Sequence, residues 1–268
     1  MIYAIANQKG GVGKTTTAIS LAAGFGKKGK RVLCVDLDPQ GNTTTGLGVR
    51  KKKLHASSYH VLKGITPIQE AIVPTGFENL DLLPATAELA GGELEFAELE
   101  HKAERLKMQL LTLETPYDTV FIDCPPGLGL LTINGLTAAD RVLIPMLAEF
   151  YALEGLTQLQ NTLRAVRQSY NAKLALDGIL FVMYDPRLNV SRQVVAEVEK
   201  YFPNKVYQTK IPRNVRLSEA PSHGQPIQYY DPGSKGAVAY DTLVREMLGE
   251  PLDPPKKKKK VSFKNKSS

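Results

Sequence analysis

The chain has no tryptophan, and only two of its 268 residues are cysteine and four are histidine. Cys34 and Cys124 lie within or just after apolar segments and form no C-x-x-C pair, which favours buried reduced thiols over a disulfide or metal site. The histidines lack the spacing of metal ligands. No run of about 18 apolar residues occurs, and the first residues lack the basic and apolar regions of a signal peptide. We therefore expect a cytoplasmic protein without a transmembrane helix.

Positive charge is concentrated near the carboxyl end of the chain. The formal net charge is +7, and residues 251–268 contribute +6 of it through seven lysines and one aspartate. A proline-rich stretch followed by a lysine run cannot build a hydrophobic core. The sequence predicts one domain over residues 1–250 and a disordered polylysine tail over 251–268. Since that domain is nearly neutral, it can bind a polyanion only through a local patch of Arg and Lys.

Short apolar segments alternate with helical patterns. Strands are predicted at 2–6, 31–36, 79–83, 118–123, 141–146, 178–183 and 205–210. Helices are predicted at 17–28, 88–113, 153–166, 190–201 and 236–248, and segment 40–76 reads as loops with short helices. Two of the strands are apolar at every central position, as in parallel strands covered on both faces. The pattern predicts an α/β fold with a doubly wound, mostly parallel sheet flanked by helices, and ligands at the carboxyl ends of the strands.

The most informative segment is the glycine-rich octapeptide between the first strand and the first helix. Its three glycines let successive backbone N–H groups turn inward as a nest for phosphate oxygens, and the helix N-terminus adds its positive dipole end. Lys14 would place its charge on the outer phosphates, and the Thr15 hydroxyl would ligate Mg²⁺. The alternative to a nucleotide-binding loop is an ordinary glycine-rich turn without a ligand. The predicted nucleotide-binding residues here are Lys9, Gly10, Gly11, Val12, Gly13, Lys14, Thr15 and Thr16.

This P-loop departs from the general motif, because Gln8 stands where its first glycine would fall, while Lys9 adds a second lysine. Two other strands end in carboxylates. Asp38 follows the strand at 31–36, where it could orient an attacking water or help to organise Mg²⁺; the alternative is a strand-ending turn. Asp123 follows apolar residues in the Walker B pattern, whose acid holds Mg²⁺, usually through water.

These motifs together resemble the deviant-Walker ATPases of the ParA/Soj chromosome-partitioning family, in its short form. The likeness covers about residues 1–248 and includes the segments at 9–16, 36–42, 121–126, 130–134, 151–156 and 211–224. Gly127 stands where relatives usually carry serine, and the polylysine tail lies outside the family pattern.

The resemblance implies that ATP and Mg²⁺ are the ligands and that ATP binding drives a face-to-face homodimer with two nucleotides between the subunits. Lys9, the family's signature lysine, would reach the partner's phosphates. Lys9, Lys14 and Asp38 would be the catalytic residues. Thr15, and Asp123 through water, would hold the metal.

The resemblance also implies non-specific binding of the dimer to double-stranded DNA, nucleoid association in a bacterium, and release by a ParB-like partner that stimulates hydrolysis. Pro212 and Asn214 fall where relatives hold the adenine. Arg187 and Arg216 match positions that carry DNA contacts in similar proteins, and solvated surface charge is their bland alternative.

Two rival functions share this scaffold. A membrane-acting relative of the MinD type ends in an amphipathic helix, whereas this tail offers only Val261 and Phe263 among its lysines, too little apolar area for such a helix. We expect no membrane binding, although a polybasic tail could touch anionic lipid. An iron–sulfur carrier of the nitrogenase-reductase type needs cluster cysteines at a dimer interface, and Cys34 and Cys124 make a poor case for that site.

Overall fold

A computed structural model describes residues 1–149 and 152–252, except the side chains of residues 152 and 153. It contains one seven-stranded sheet in the order β3-β4-β2-β5-β1-β6-β7. The short β3 is antiparallel to β4, and all other neighbours pair in parallel. The strands are β1 Ile2–Ile5, β2 Val32–Asp36, β3 Val73–Pro74, β4 Leu80–Leu83, β5 Thr119–Asp123, β6 Arg141–Leu147 and β7 Ala175–Val182.

Helices cover both faces of this sheet. They are α1 Lys14–Lys27, α2 Asn42–Gly46, α3 Ser58–Lys63, α4 Ile68–Ala71, α5 Glu88–Phe96, α6 Arg105–Leu110, α7 Leu130–Ala138, α8 Ala152–Ser169, α9 Asn189–Tyr201, α10 Val215–Glu219, α11 Ile227–Tyr230 and α12 Lys235–Met247, with 3₁₀ turns at Lys51–Lys53 and Ala220–His223. The doubly wound, mostly parallel α/β fold predicted from the sequence is confirmed.

Alternation along each strand divides the core between the two faces. In β1, Tyr3 and Ile5 join the cluster that contains residues of α1 and α12, whereas Ala4 joins the cluster on the other face. The ring of Phe121 stacks on that of Tyr3, with centroids 5.4 Å apart, and meets the edge of Phe25 at 5.1 Å. Truncating a fully buried phenylalanine to alanine costs about 3–5 kcal/mol, so Phe121 fixes α1 firmly against the sheet.

The prediction of a strand at 205–210 is wrong. This segment makes only an isolated bridge between Val206 and Ile179 of β7. The backbone N–H groups of Gln208 and Thr209 bind instead to the two carboxylate oxygens of Glu246, at 2.6 and 2.9 Å. A remote helix thus takes the donors that a neighbouring strand would need.

The single helix predicted at 88–113 is divided into α5 and α6. Turns occupy residues 97–104, where His101 has a φ of 53°. A left-handed residue cannot continue a right-handed helix, so the chain turns there.

The other predicted strands and helices are confirmed with small shifts of their ends, and segment 40–76 carries four short helical turns besides β3. Both cysteines are free and buried, as expected. Within residues 1–149 and 152–252, no helix is long and apolar enough to cross a membrane. The predicted polylysine tail lies, from residue 253 onward, outside the described residues.

Candidate nucleotide-binding site

The carboxyl ends of β1, β2 and β5 meet at one edge of the sheet. Asp36, the last residue of β2, is paired in register with Asp123, the last residue of β5, and Asp123 is also paired with Ile5 of β1. The loop between β1 and α1 leaves this same edge. The motifs found in the sequence therefore converge on one place.

The loop at residues 6–13 curls back to start α1. Gly11 and Gly13 have φ values of 71° and 74°, in the left-handed region that glycine adopts without strain. Gly13 is the N-cap of α1, and the first N–H groups of a helix have no intrahelical acceptor. Val12 is buried and anchors the loop, while Gly10 and Gly11 border open space. This backbone shape is the one that the phosphate cradle predicted for residues 9–16 requires, and the binding itself stays a prediction.

Lys14, the first residue of α1, lies across this loop. Its side chain donates a hydrogen bond to the backbone carbonyl of Lys9, with Nζ and O 3.0 Å apart, and the residue is only 6% exposed. Burial lowers the pKa of Lys14, and the nearby Asp123 carboxyl opposes that shift. A phosphate at the loop would supply the countercharge that this buried cation lacks.

Asp123 is fully buried, as is Asp36. Its Oδ2 accepts hydrogen bonds from the hydroxyls of Thr15 and Thr43, each at 2.8 Å. Its Oδ1 is buried and has no hydrogen-bond partner among the described residues. Burial, together with the charge of Asp36, raises the pKa of Asp123 to about 7. An orphaned carboxylate oxygen beside a threonine hydroxyl suits a hard divalent cation.

The described residues hold no cluster of three or more His, Cys, Asp or Glu side chains that could bind a metal alone. Mg²⁺ commonly takes one or two protein ligands and completes its shell with water and substrate phosphates. The Thr15–Asp123 pair beside the phosphate loop has the composition of such a site.

Asp36 braces the loop that follows β2. It accepts hydrogen bonds from the backbone N–H and hydroxyl of Thr44, at 2.8 and 2.7 Å, and from the backbone N–H of Asp38 at 3.1 Å. Burial raises the pKa of Asp36 to about 6, against the lowering effect of these bonds. Asp36 therefore acts on the shape of the loop, whereas Asp123 faces the P-loop threonine.

Asp38 lies in a tight turn at the same edge and is 8% exposed. Its carboxylate Oδ1 accepts from the backbone N–H of Gln40 at 2.9 Å, and its carbonyl accepts from that of Gly41 at 2.8 Å. The strand-ending turn considered from the sequence is thus present, and it holds the Asp38 carboxylate close to the phosphate loop's own edge of the sheet.

A cavity of about 710 Å³ opens beside the start of α1. Gly13, Thr15 and Thr16 line it on one side, and Pro212 and Asn214 on the other. Asn214 also caps α10, since its Oδ1 accepts from the backbone N–H of Arg216 at 2.8 Å. The two residues predicted to hold the adenine therefore line the same cavity as three of the predicted phosphate-binding residues, and its volume is typical of small-ligand sites.

Lys9 points away from this cavity. Its ammonium forms an ion pair with Glu149, with Nζ and Oε2 2.7 Å apart, and both side chains are more than half exposed. A separate cavity of about 420 Å³ lies here, lined by Lys9, Glu149 and residues of β6 and α8. Within a single chain, Lys9 is therefore held by a carboxylate and does not join Lys14.

The two arginines predicted to contact DNA both have acidic partners. Arg187 is 87% exposed and its guanidinium lies 2.6 Å from Asp185. Arg216 pairs with Glu219 at 2.8 Å and with Asp231 at 3.3 Å. Arg216 lies on α10 between Val215 and Leu217, which line the cavity. Arg187 follows β7 in the chain.

Sequence reasoning missed three residues of this site. Thr43 and Thr44 bind the two buried carboxylates, and Glu149 binds Lys9. The run of threonines directly after the Asp38 turn was the one available signal, because hydroxyl donors beside acids at a strand end commonly serve those acids.

This fold and site define a nucleotide-binding protein of the P-loop class. A sequence model described as an AAA domain matches residues 1–176. The sporulation initiation inhibitor protein Soj of Bacillus subtilis is 53% identical over 246 residues, which cover 92% of this chain and 97% of that protein. The chromosome partitioning protein ParA of Myxococcus xanthus is 49% identical over 92% of this chain and 87% of its own. The chain belongs to the ParA/Soj family of chromosome-partitioning proteins.

A solved structure with a bound nucleotide is also similar to this chain. The crystal structure of cobyrinic acid a,c-diamide synthase from Mycobacterium smegmatis with bound ADP and magnesium is 39% identical, with a TM-score of 0.80, and the match covers 95% of this chain and 99% of that one.

Proposed function

We propose that this chain is an ATPase that binds ATP with Mg²⁺ at the edge of the sheet formed by β1, β2 and β5. The observation that carries the proposal is the convergence of a phosphate loop, the Thr15–Asp123 pair and the cavity lined by Pro212 and Asn214. The ADP and magnesium bound in the M. smegmatis structure support the same assignment.

Different residues contact the adenine, the phosphates and the attacking water. Pro212 and Asn214 hold the adenine at the far side of the cavity. The backbone of residues 10–16 cradles the phosphates, and Lys14 neutralises their charge. Asp38 orients the attacking water by accepting its hydrogen bond.

Thr15, and Asp123 through water, hold the metal. When bound, Mg²⁺ neutralises charge on the outer phosphates.

The proposal extends to a dimer that moves DNA cargo. ATP brings two copies face to face, and Lys9 of each leaves Glu149 for the phosphates bound to the other. The dimer binds double-stranded DNA without sequence preference through Arg187 and Arg216, which places it on the bacterial nucleoid, and a ParB-like partner stimulates hydrolysis and so releases it. Curated relatives near 50% identity are named for partitioning or sporulation control, and this favours a partitioning ATPase over a synthase.

Light scattering after size-exclusion chromatography tests whether ATP drives dimerisation. We expect the wild-type chain to be monomeric with ADP and dimeric with ATP, and Lys9→Ala to bind ATP but stay monomeric. Lys30→Ala is the matched control, since Lys30 is exposed and precedes β2 at the opposite edge of the sheet. A Lys9→Ala variant that dimerises normally would contradict the role of Lys9.

Fluorescence anisotropy with two duplexes of unrelated sequence tests the proposed DNA binding. We expect equal affinity for both, a requirement for ATP, and a steep loss of binding with salt. Arg187→Glu and Arg216→Glu should each weaken binding without changing ATP-driven dimerisation, whereas the exposed Arg164→Glu should not. ATP-dependent sedimentation with anionic vesicles in place of DNA binding would instead support the MinD-type function.

A further inference from the structure

A second basic segment lies on the same side of the molecule as Arg216. Residues 50–53 read Arg-Lys-Lys-Lys and include the 3₁₀ turn Lys51–Lys53. Arg50, Lys52 and Lys53 are exposed. No carboxylate in residues 1–149 or 152–252 forms an ion pair with any of these three. This contrasts with Arg187 and Arg216, whose charges are already partly neutralised by neighbouring acids.

The segment is continuous with the surface that carries Arg216. A Cβ atom on Gly224 would lie only 2.8 Å from the Cα of Gly48, so the two backbones touch. Gly48 lies two residues before Arg50. Gly224 closes the 3₁₀ turn at Ala220–His223, which directly follows α10 and therefore Arg216. A double helix that contacts Arg216 would therefore have the basic residues 50–53 nearby.

Lys51 fixes the segment in place. Its ammonium donates to the backbone carbonyl of Gln40 at 2.5 Å, and its side chain covers Gly41, whose Cβ position would lie 2.5 Å from Lys51 Cε. The N–H of Gln40 in turn bonds to Asp38. Lys51 therefore binds within the protein and ties the segment that carries the other three cations to the turn that contains Asp38.

We propose that Arg50, Lys52 and Lys53 form a second contact site for the phosphate backbone of double-stranded DNA, continuous with Arg216. The proposal rests on the DNA binding argued above. A cation without a carboxylate partner can bind a phosphate, and so release counterions condensed on the DNA, without breaking an ion pair of its own. None of the large exposed hydrophobic side chains of the described residues falls between positions 48 and 54, so the segment lacks the apolar area with which a surface helix enters lipid.

The test compares two triple variants of the full-length chain. Arg50→Gln/Lys52→Gln/Lys53→Gln removes the site, and Lys27→Gln/Lys30→Gln/Lys173→Gln removes the same charge at the opposite edge of the sheet. The readout is the slope of log affinity against log salt for a random duplex, with ATP. Two copies of the site make two to six phosphate contacts, so its removal should flatten the slope by about 2 to 5, whereas the control should leave it unchanged.

Two further measurements separate the explanations. ATP-driven dimerisation should be normal in both triple variants, and Lys52→Arg/Lys53→Arg should keep the wild-type salt slope because it keeps the charge. If the wild-type chain binds DNA and both triple variants share its slope, the second site is wrong and the proposed function stands.

A wild-type chain that binds no DNA would overturn both proposals. A variant that loses only its binding to phosphatidylserine vesicles would overturn the second site in favour of a lipid surface.

Discussion

Thr15 and Asp123, 108 residues apart in the chain, are joined by a hydrogen bond of 2.8 Å between Thr15 Oγ1 and Asp123 Oδ2. The bond links the first turn of α1 to the end of β5, and thereby the phosphate loop to the acid beneath it. Thr43 donates to the same oxygen from a third segment. The geometry that would receive a metal is thus assembled by the folded chain itself.

Thr15→Val tests this link, since valine keeps the shape of threonine and removes the hydroxyl. We expect affinity for ATP with Mg²⁺ to fall by about tenfold or more, because a charge-assisted hydrogen bond contributes roughly 1.5–3 kcal/mol. Affinity for ATP in EDTA should change much less. Isothermal titration with and without Mg²⁺ measures both, with Thr242→Val on α12 as the control. Equal losses in the two conditions would assign Thr15 to the phosphates and not to the metal.

Lys14→Ala removes the side chain proposed to neutralise the outer phosphates. We expect ATP affinity to fall by about 10- to 150-fold or beyond detection, on the basis of roughly 1.5–3 kcal/mol for one charged hydrogen bond. The fold should survive, because among the described residues the ammonium of Lys14 donates only to the loop carbonyl of Lys9. Fluorescent-nucleotide titration beside a thermal melt checks this. Unchanged affinity in a folded variant would remove Lys14 from the phosphate site.

Asp38→Ala should stop hydrolysis and leave ATP binding, dimerisation and DNA association intact, which yields a locked dimer. A carboxylate that positions water acts mainly in the transition state, and its loss lowers the rate by about 10²- to 10⁴-fold. Phosphate release is measured beside light scattering. Loss of ATP binding in this variant would make Asp38 a structural residue of the turn that ends at Gly41.

Asn214→Asp separates two roles of one side chain. An aspartate keeps the oxygen that caps α10 but lacks the amide donor available to an adenine. We expect unchanged thermal stability, weaker ATP binding, and unchanged binding of inorganic triphosphate, which has no base. Competition titration gives the ratio of the affinities for ATP and inorganic triphosphate. A parallel fall for both ligands would show that Asn214 acts on the phosphates or on the fold.

The paired acids predict a pH dependence of stability for the metal-free protein. Burial raises the pKa of Asp123 from 3.8 to about 7 and that of Asp36 to about 6. Between these values and the unfolded value the folded state binds more protons, so this contribution is complete below about pH 4 and is lost as pH rises to about 7. In EDTA, the melting temperature of Asp123→Asn should fall less over this range than that of wild type. The exposed Glu98→Gln is the control, and identical profiles for all three would contradict the assignment.

How much of this site was predictable depends on the range of the interactions. The P-loop and the acids at positions 38 and 123 follow from local rules, because a strand, its end and the following loop are neighbours in sequence. Parallel pairing then brings strand ends together, which is how Asp36 and Asp123 become register partners. Pro212 and Asn214 also line the cavity beside the start of α1. They could be predicted only from the resemblance to a family, because no local pattern marks them.

The rest depended on distant contacts that no periodicity encodes. Segment 205–210 has the composition of a strand, yet Glu246 of α12 captures two of its N–H groups. The ion pair of Lys9 spans 140 residues.

In the proposed dimerisation, the ion pair between Lys9 and Glu149 is the contact that each copy must give up. An ion pair exposed to this degree contributes only about 0–1 kcal/mol and weakens with salt. A triphosphate on a second copy offers more negative charge than one carboxylate, so it can draw Lys9 away at little cost. If dimerisation proceeds as proposed, the fraction of dimeric protein would follow the supply of nucleotide triphosphate and not the stability of the fold.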